Sequence, residues 1–103
     1  MLVQINTDRN IEGSAALTTA VSGVVEAALD RFSSHVTRVE VHISDENAEK
    51  GGQRDHRCMM EARLEGRQPV AVTHAAATLD QAVSGAAGKL ARMLESTLGR
   101  AGR

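Results

Sequence analysis

The sequence predicts an α+β fold with the element order β-α-β-β-β-α. Three observations lead there. Apolar and polar residues alternate near positions 2–7, 37–44 and 57–65, the period of a half-buried strand. Two apolar stripes at spacings of three and four, one on each side of the last three strand segments, mark amphipathic helices. A single long polar stretch, 45–55, interrupts the pattern. Each helix has one face to bury, so the economical solution is a four-stranded mixed sheet with both helices packed on one face and the other face wet.

In order, Leu2 to Thr7 sets Val3 and Ile5 against Gln4 and Asn6, and Asp8-Arg9-Asn10 reads as a turn. Ser14 stands where an N-cap accepts a backbone N–H that has no partner inside the helix. Leu17, Val21, Val24, Val25, Ala28 and Phe32 then form one stripe, ending near Ser33-Ser34-His35. From Thr37 to Ser44, Val39, Val41 and Ile43 face one way and Arg38, Glu40 and His42 the other. Asp45 to Asp55 contains Gly51-Gly52 and reads as a loop. Arg57 to Glu65 directs Cys58, Met60, Ala62 and Leu64 to the core, with Arg57, Met59, Glu61, Arg63 and Glu65 on the open side. Gly66-Arg67-Gln68-Pro69 turns the chain into a short strand, Val70 to Ala75. Thr78 opens the last helix with Gln81 three residues on, a capping box. Leu79, Val83, Ala86, Leu90, Leu94 and Thr97 form its stripe, and Gly99 and Gly102 end it. The first helix is a crossover, so the first two strands should be parallel if adjacent; the later strands form an antiparallel meander.

The 103 residues suit one domain, 1–103, with one modest core. At 42% hydrophobic and 24% charged, the composition is that of a globular protein. Cys58 is the only cysteine, so no internal disulfide is available. Met1 to Asn6 lacks the basic stretch and apolar run of a signal peptide, and no segment approaches the roughly 20 apolar residues that span a bilayer. A cytoplasmic protein without membrane contact is expected. The net charge of −1 means that any surface for phosphate must be local. Phe32 is the only aromatic residue, so the platforms for stacking unpaired bases are missing.

Paired carboxylates, glycine-rich phosphate loops and serine-triad motifs are absent, so no enzyme, cofactor or small-molecule substrate is expected. His56-Arg57-Cys58, with His42 across the hairpin, raises a metal site. Zinc wants three or four converging ligands, and the alternation sends His42 outward and Cys58 inward. Cys58 reads as a small core residue rather than a nucleophile, and His74, beside Val70 and Val72, as a packed histidine. The last helix, advancing about 100° per residue, sets Lys89, Arg92 and Arg100 on one flank and Asp80 and Glu95 on the other. That strip reads either as a phosphate contact or as a solvated face with Arg100 favourable near a helix C-terminus. The 45–57 loop reads as a hairpin connection or an interaction loop.

With the element order in place, the chain resembles the short ribosome hibernation-promoting factor and ribosome-associated inhibitor family, also called sigma-54 modulation proteins. "VQINTDRNIEGSAAL" is similar to that family's opening strand and helix start, and "VTRVEVHIS" to its second strand. "CMMEARLEG" and "PVAVTHAAATLDQAVSGAAGKLARML" are similar to its closing hairpin and final helix, with "GKLARML" the most specific match. The resemblance implies the same fold and a regulator of translation that occupies the small-subunit mRNA/tRNA channel of idle ribosomes. It implies contacts from basic side chains to rRNA phosphates, with Lys89 and Arg92 at family basic positions and Arg100 in the tail. It is to the short members, without the C-terminal dimerisation domain of the long ones.

Two other readings stay open. Arg31 is the only basic residue from Ser14 to Ser34, and the tail is reduced to "STLGRAGR". A member without the rRNA site would bind a protein partner, through the open sheet face (Arg38, Glu40, Met59, Glu61, Arg63) or the acidic loop. A double-stranded-RNA-binding domain shares the α-β-β-β-α order, but grips phosphates with lysines at the start of its last helix. Here that start is Thr78-Leu79-Asp80-Gln81.

Overall fold

The computed structural model describes residues 1–8, 11–45 and 56–99. Strand β1 (Leu2–Thr7) leads into helix α1 (Ala15–Leu29), which tightens into a 3₁₀ turn at Asp30–Phe32. Strands β2 (Val36–Asp45), β3 (His56–Leu64) and β4 (Val70–Ala76) follow, then helix α2 (Leu79–Leu94), closed by a π-helical turn at Glu95–Gly99. The order is the β-α-β-β-β-α that the sequence predicts, and the sheet order is β1-β2-β3-β4. β1 and β2 are parallel, with Val3 beside Val39 and Ile5 beside Val41. The other two pairings are antiparallel.

Local chemistry sets the element ends. The Leu17 N–H donates to Ser14 Oγ at 3.0 Å, and the Gln81 N–H to Thr78 Oγ1 at 3.1 Å. Among the described contacts the Gln81 side chain makes no bond back to Thr78, so the capping box is half formed. Between β3 and β4 the Arg67 N–H reaches Leu64 O at 3.5 Å, and Gly66 adopts φ 73°, a left-handed conformation that glycine takes without a Cβ clash.

One face of the sheet is covered by both helices. Val39, Val41, Cys58, Met60 and Ala62 are fully buried there, with Val25, Leu29 and Leu90 from the helices. Each buried Val, Leu or Met side chain contributes roughly 1.5–3 kcal/mol relative to exposure. Strand ends differ from the sequence reading by a residue at most, and two differences bear on the core. β2 begins at Val36, one residue earlier than the alternation suggests. The register shifts between Val36 and Arg38, and Thr37 Oγ1 donates to Arg63 O at 3.1 Å. This bulge returns Val36 to the covered face, where it is buried beside Leu64. The buried face of α2 is also wider than its large residues indicate. Ala82 and Ala87 are buried as fully as Leu90, because α2 touches β3, β4 and α1 together.

Candidate nucleic-acid interface

Lys89 and Arg92 lie on consecutive turns of α2, on the flank toward β4. α2 has this polarity because its acids stand elsewhere: Asp80 in the first turn borders the groove between the helices, and Glu95 follows the last. An acid near the helix N-terminus and a base near its C-terminus both suit the macrodipole. The structure brings Lys89 and Arg92 to one flank, as their spacing indicates. Arg100 lies outside the described residues.

The two side chains have different surroundings. Lys89 is half-buried, and its Nζ donates to the backbone carbonyl of Thr73 at 2.9 Å. β4 is an edge strand, so an outward carbonyl there has no strand to pair with, and the ammonium satisfies it. Arg92 is exposed, and its guanidinium lies back along Gly88, where a Cβ would be 3.7 Å from Nη1. Arg31, from the 3₁₀ turn, forms an ion pair with Glu95 at 2.5 Å and stacks 4.8 Å above the Phe32 ring. Among the described basic residues of the helix layer, Arg92 is the one with neither an ion pair nor a hydrogen bond.

The open face of the sheet carries a second charged group. Arg38 approaches Glu40 at 2.8 Å; Arg63 approaches Glu61 at 3.3 Å and Glu40 at 3.9 Å. His42 lies 3.9 Å from the same Glu40 carboxylate. The strand registers produce the network: Glu40 pairs with Glu61 across β2 and β3, and Arg38 with Arg63. Two carboxylates directly opposite would repel, and the flanking guanidinium groups neutralise them.

The other candidate residues separate. His42 is exposed on the open face, whereas Cys58 is buried in the core. No group of three His, Cys, Asp or Glu side chains is placed to hold a metal among the described residues. Burial pushes the Cys58 thiol up to about 12, so it stays protonated and unreactive. His74 packs against α2 so closely that a Cβ at Gly85 would lie 2.1 Å from its ring. His56 Nδ1 lies 3.2 Å from Ala77 O, with Nε2 3.7 Å from Asp45. The polar loop at 46–55 lies outside the described residues.

Sequence reasoning missed the Lys89–Thr73 and Arg31–Glu95 contacts. The signal for the first was present, since a lysine on a helix flank above an edge strand has a carbonyl within reach. The second joins residues 64 positions apart and leaves no local trace.

Fold and charge together define a two-layer α+β domain with a small basic flank on its last helix and a self-neutralised open face. The chain belongs to the sigma 54 modulation protein / S30EA ribosomal protein family, whose model matches residues 4–101. Its fold is that of the Protein Y N-terminal domain from Thermus thermophilus, with TM-score 0.76 and 23% identity, covering 94% of this chain and 99% of that one. A ribosomal subunit interface protein from Coxiella burnetii matches with TM-score 0.69 and 14% identity, covering 94% and 97%. No curated protein matches the chain. No described helix is long and apolar enough to cross a membrane.

Proposed function

We propose that the protein is a cytoplasmic, ribosome-associated regulator of translation that acts by binding rather than catalysis. Its target in this reading is small-subunit rRNA in the mRNA/tRNA channel of idle ribosomes. The observation that carries it is the family match across residues 4–101. The Coxiella neighbour, described as a ribosomal subunit interface protein, supports a ribosomal partner. In this reading Lys89 and Arg92 supply the local positive surface that a near-neutral protein needs for phosphate, with Arg100 as a third cation.

Arg92 carries the larger share of this contact, because Lys89 is already bonded to Thr73 O. The test is co-sedimentation with bacterial ribosomes across a salt series. Binding should be salt-sensitive, and each phosphate contact removed should flatten the log–log salt slope by about 1. Arg92→Ala is expected to weaken binding more than Lys89→Ala, and the triple variant with Arg100→Ala to abolish it. Absence of co-sedimentation at low salt would sink the reading. A protein partner on the open sheet face is the second reading, favoured by the shortage of uncommitted cations in the helix layer.

A further inference from the structure

The two edges of the sheet are built differently. β4 is preceded by Pro69, and Lys89 covers its Thr73 carbonyl at 2.9 Å. Both are devices that discourage another strand from pairing there. β1 has neither: Leu2-Val3-Gln4-Ile5-Asn6-Thr7 contains no charge and no proline. Every other strand carries at least one titratable side chain. Two of the three exposed large apolar residues among the described residues, Met1 at 37% and Leu2 at 55%, stand at its start.

The ladder fixes which groups β1 presents outward. The Asp8 N–H donates to Ile43 O at 3.1 Å, continuing the parallel pairing in which Thr7 stands beside Ile43. Alternate residues of a strand turn their backbone groups to opposite neighbours. Gln4, Asn6 and Asp8 therefore bond toward β2, while Val3 and Ile5 direct their N–H and C=O groups outward. Among the described residues neither has a backbone partner on that side. Val3 and Ile5 are also the residues whose side chains face the helix layer.

We propose that the β1 edge pairs with the β1 edge of a second copy of this chain, antiparallel about a two-fold axis at Gln4. This register sets Val3 opposite the partner's Ile5, and each such pair exchanges both N–H···O bonds. Because both residues face the helix layer, the helices of the two copies stay on one side and the sheets join without inversion. Val3 and the partner's Ile5 form an aliphatic cross-strand pair. On the open side Gln4 meets the partner's Gln4, and Leu2 meets the partner's Asn6. No like charges oppose one another along the seam. A foreign strand would find the same backbone groups but not this matched set of neighbours.

The test does not involve ribosomes, so its outcome is independent of the reading above. Sedimentation equilibrium of the full chain, from about 10 μM to about 1 mM, should show a concentration-dependent dimer. Gln4 is exposed, so Gln4→Lys should leave the thermal melt unchanged while placing like charges together at the axis. It should raise the dissociation constant about tenfold. Gln4→Glu should do the same, and an equimolar mixture of the two variants should restore a heterodimer. In hydrogen exchange the Val3 and Ile5 amides should gain protection as the dimer forms. A chain that remains monomeric throughout overturns the proposal, as does a dimer that neither variant weakens.

Discussion

The covered and open faces of one sheet obey different rules. On the covered face Val39, Val41, Cys58, Met60 and Ala62 are fully buried, and their fit is a matter of volume. On the open face Arg38, Glu40 and Arg63 keep side-chain exposures of 36%, 21% and 46%, and their fit is a matter of charge balance. Close packing tolerates little change in volume, whereas solvated ion pairs contribute about 0–1 kcal/mol. The covered face thus specifies the fold, and the open face is free to serve a partner or simply to stay soluble.

Adjacent methionines on β3 give the largest expected effect. Met60 is fully buried beneath the helices, and Met59 is half-buried on the open side. Met60→Ala is expected to cost about 2–5 kcal/mol, the range for a large-to-small core substitution. Met59→Ala should cost less than about 1 kcal/mol, since the site is open to water. Urea unfolding of both variants checks this. Equal losses would mean that Met59 is held by more than its own sheet.

A second test lies where α2 crosses β4. At Gly85 a Cβ would fall 2.1 Å from the His74 ring, so Gly85→Ala forces the histidine or the helix to move. Overpacking of this kind costs about 1–3 kcal/mol. With His74→Ala in the background the clash disappears, and alanine's higher helix propensity should make Gly85→Ala stabilising by up to about 1 kcal/mol. A change of sign between the two backgrounds, measured as a double-mutant cycle, identifies contact with His74 as the cause. The same sign in both would place the strain elsewhere.

Much of this was legible in the sequence because it is local. Alternation assigned both sheet faces, and Ser14 and Thr78 located both helix starts. The stripe of α2 was read from its large residues, so Ala82 and Ala87 were missed. Alanine fits a core only where elements approach closely, and that approach is a tertiary fact. Val36 was missed because a bulge breaks the period of two. The basic flank was read correctly for Lys89 and Arg92, since helical angle alone sets it. That Lys89 is bonded to Thr73 O depends on where β4 lies, which helical angle does not encode.

The smallest effect is expected at Glu40, and it bears on which surface meets a partner. Its carboxylate lies 2.8 Å from Arg38, 3.9 Å from Arg63 and 3.9 Å from His42. Glu40→Gln keeps a hydrogen-bond acceptor for Arg38 and removes the charge. The loss of stability should be below about 1 kcal/mol and should shrink further in high salt, where exposed pairs are screened. A loss above about 2 kcal/mol would make the open face structural after all. The same variant removes one negative charge beside Arg38 and Arg63 on the open side without touching α2, while Arg63 keeps Glu61 at 3.3 Å. If the α2 flank makes the ribosomal contact, co-sedimentation of Glu40→Gln should match that of the unaltered chain. Tighter and more salt-sensitive sedimentation would instead locate the phosphate contact on the open face, and Arg38 and Arg63 would replace Lys89 and Arg92 as its carriers.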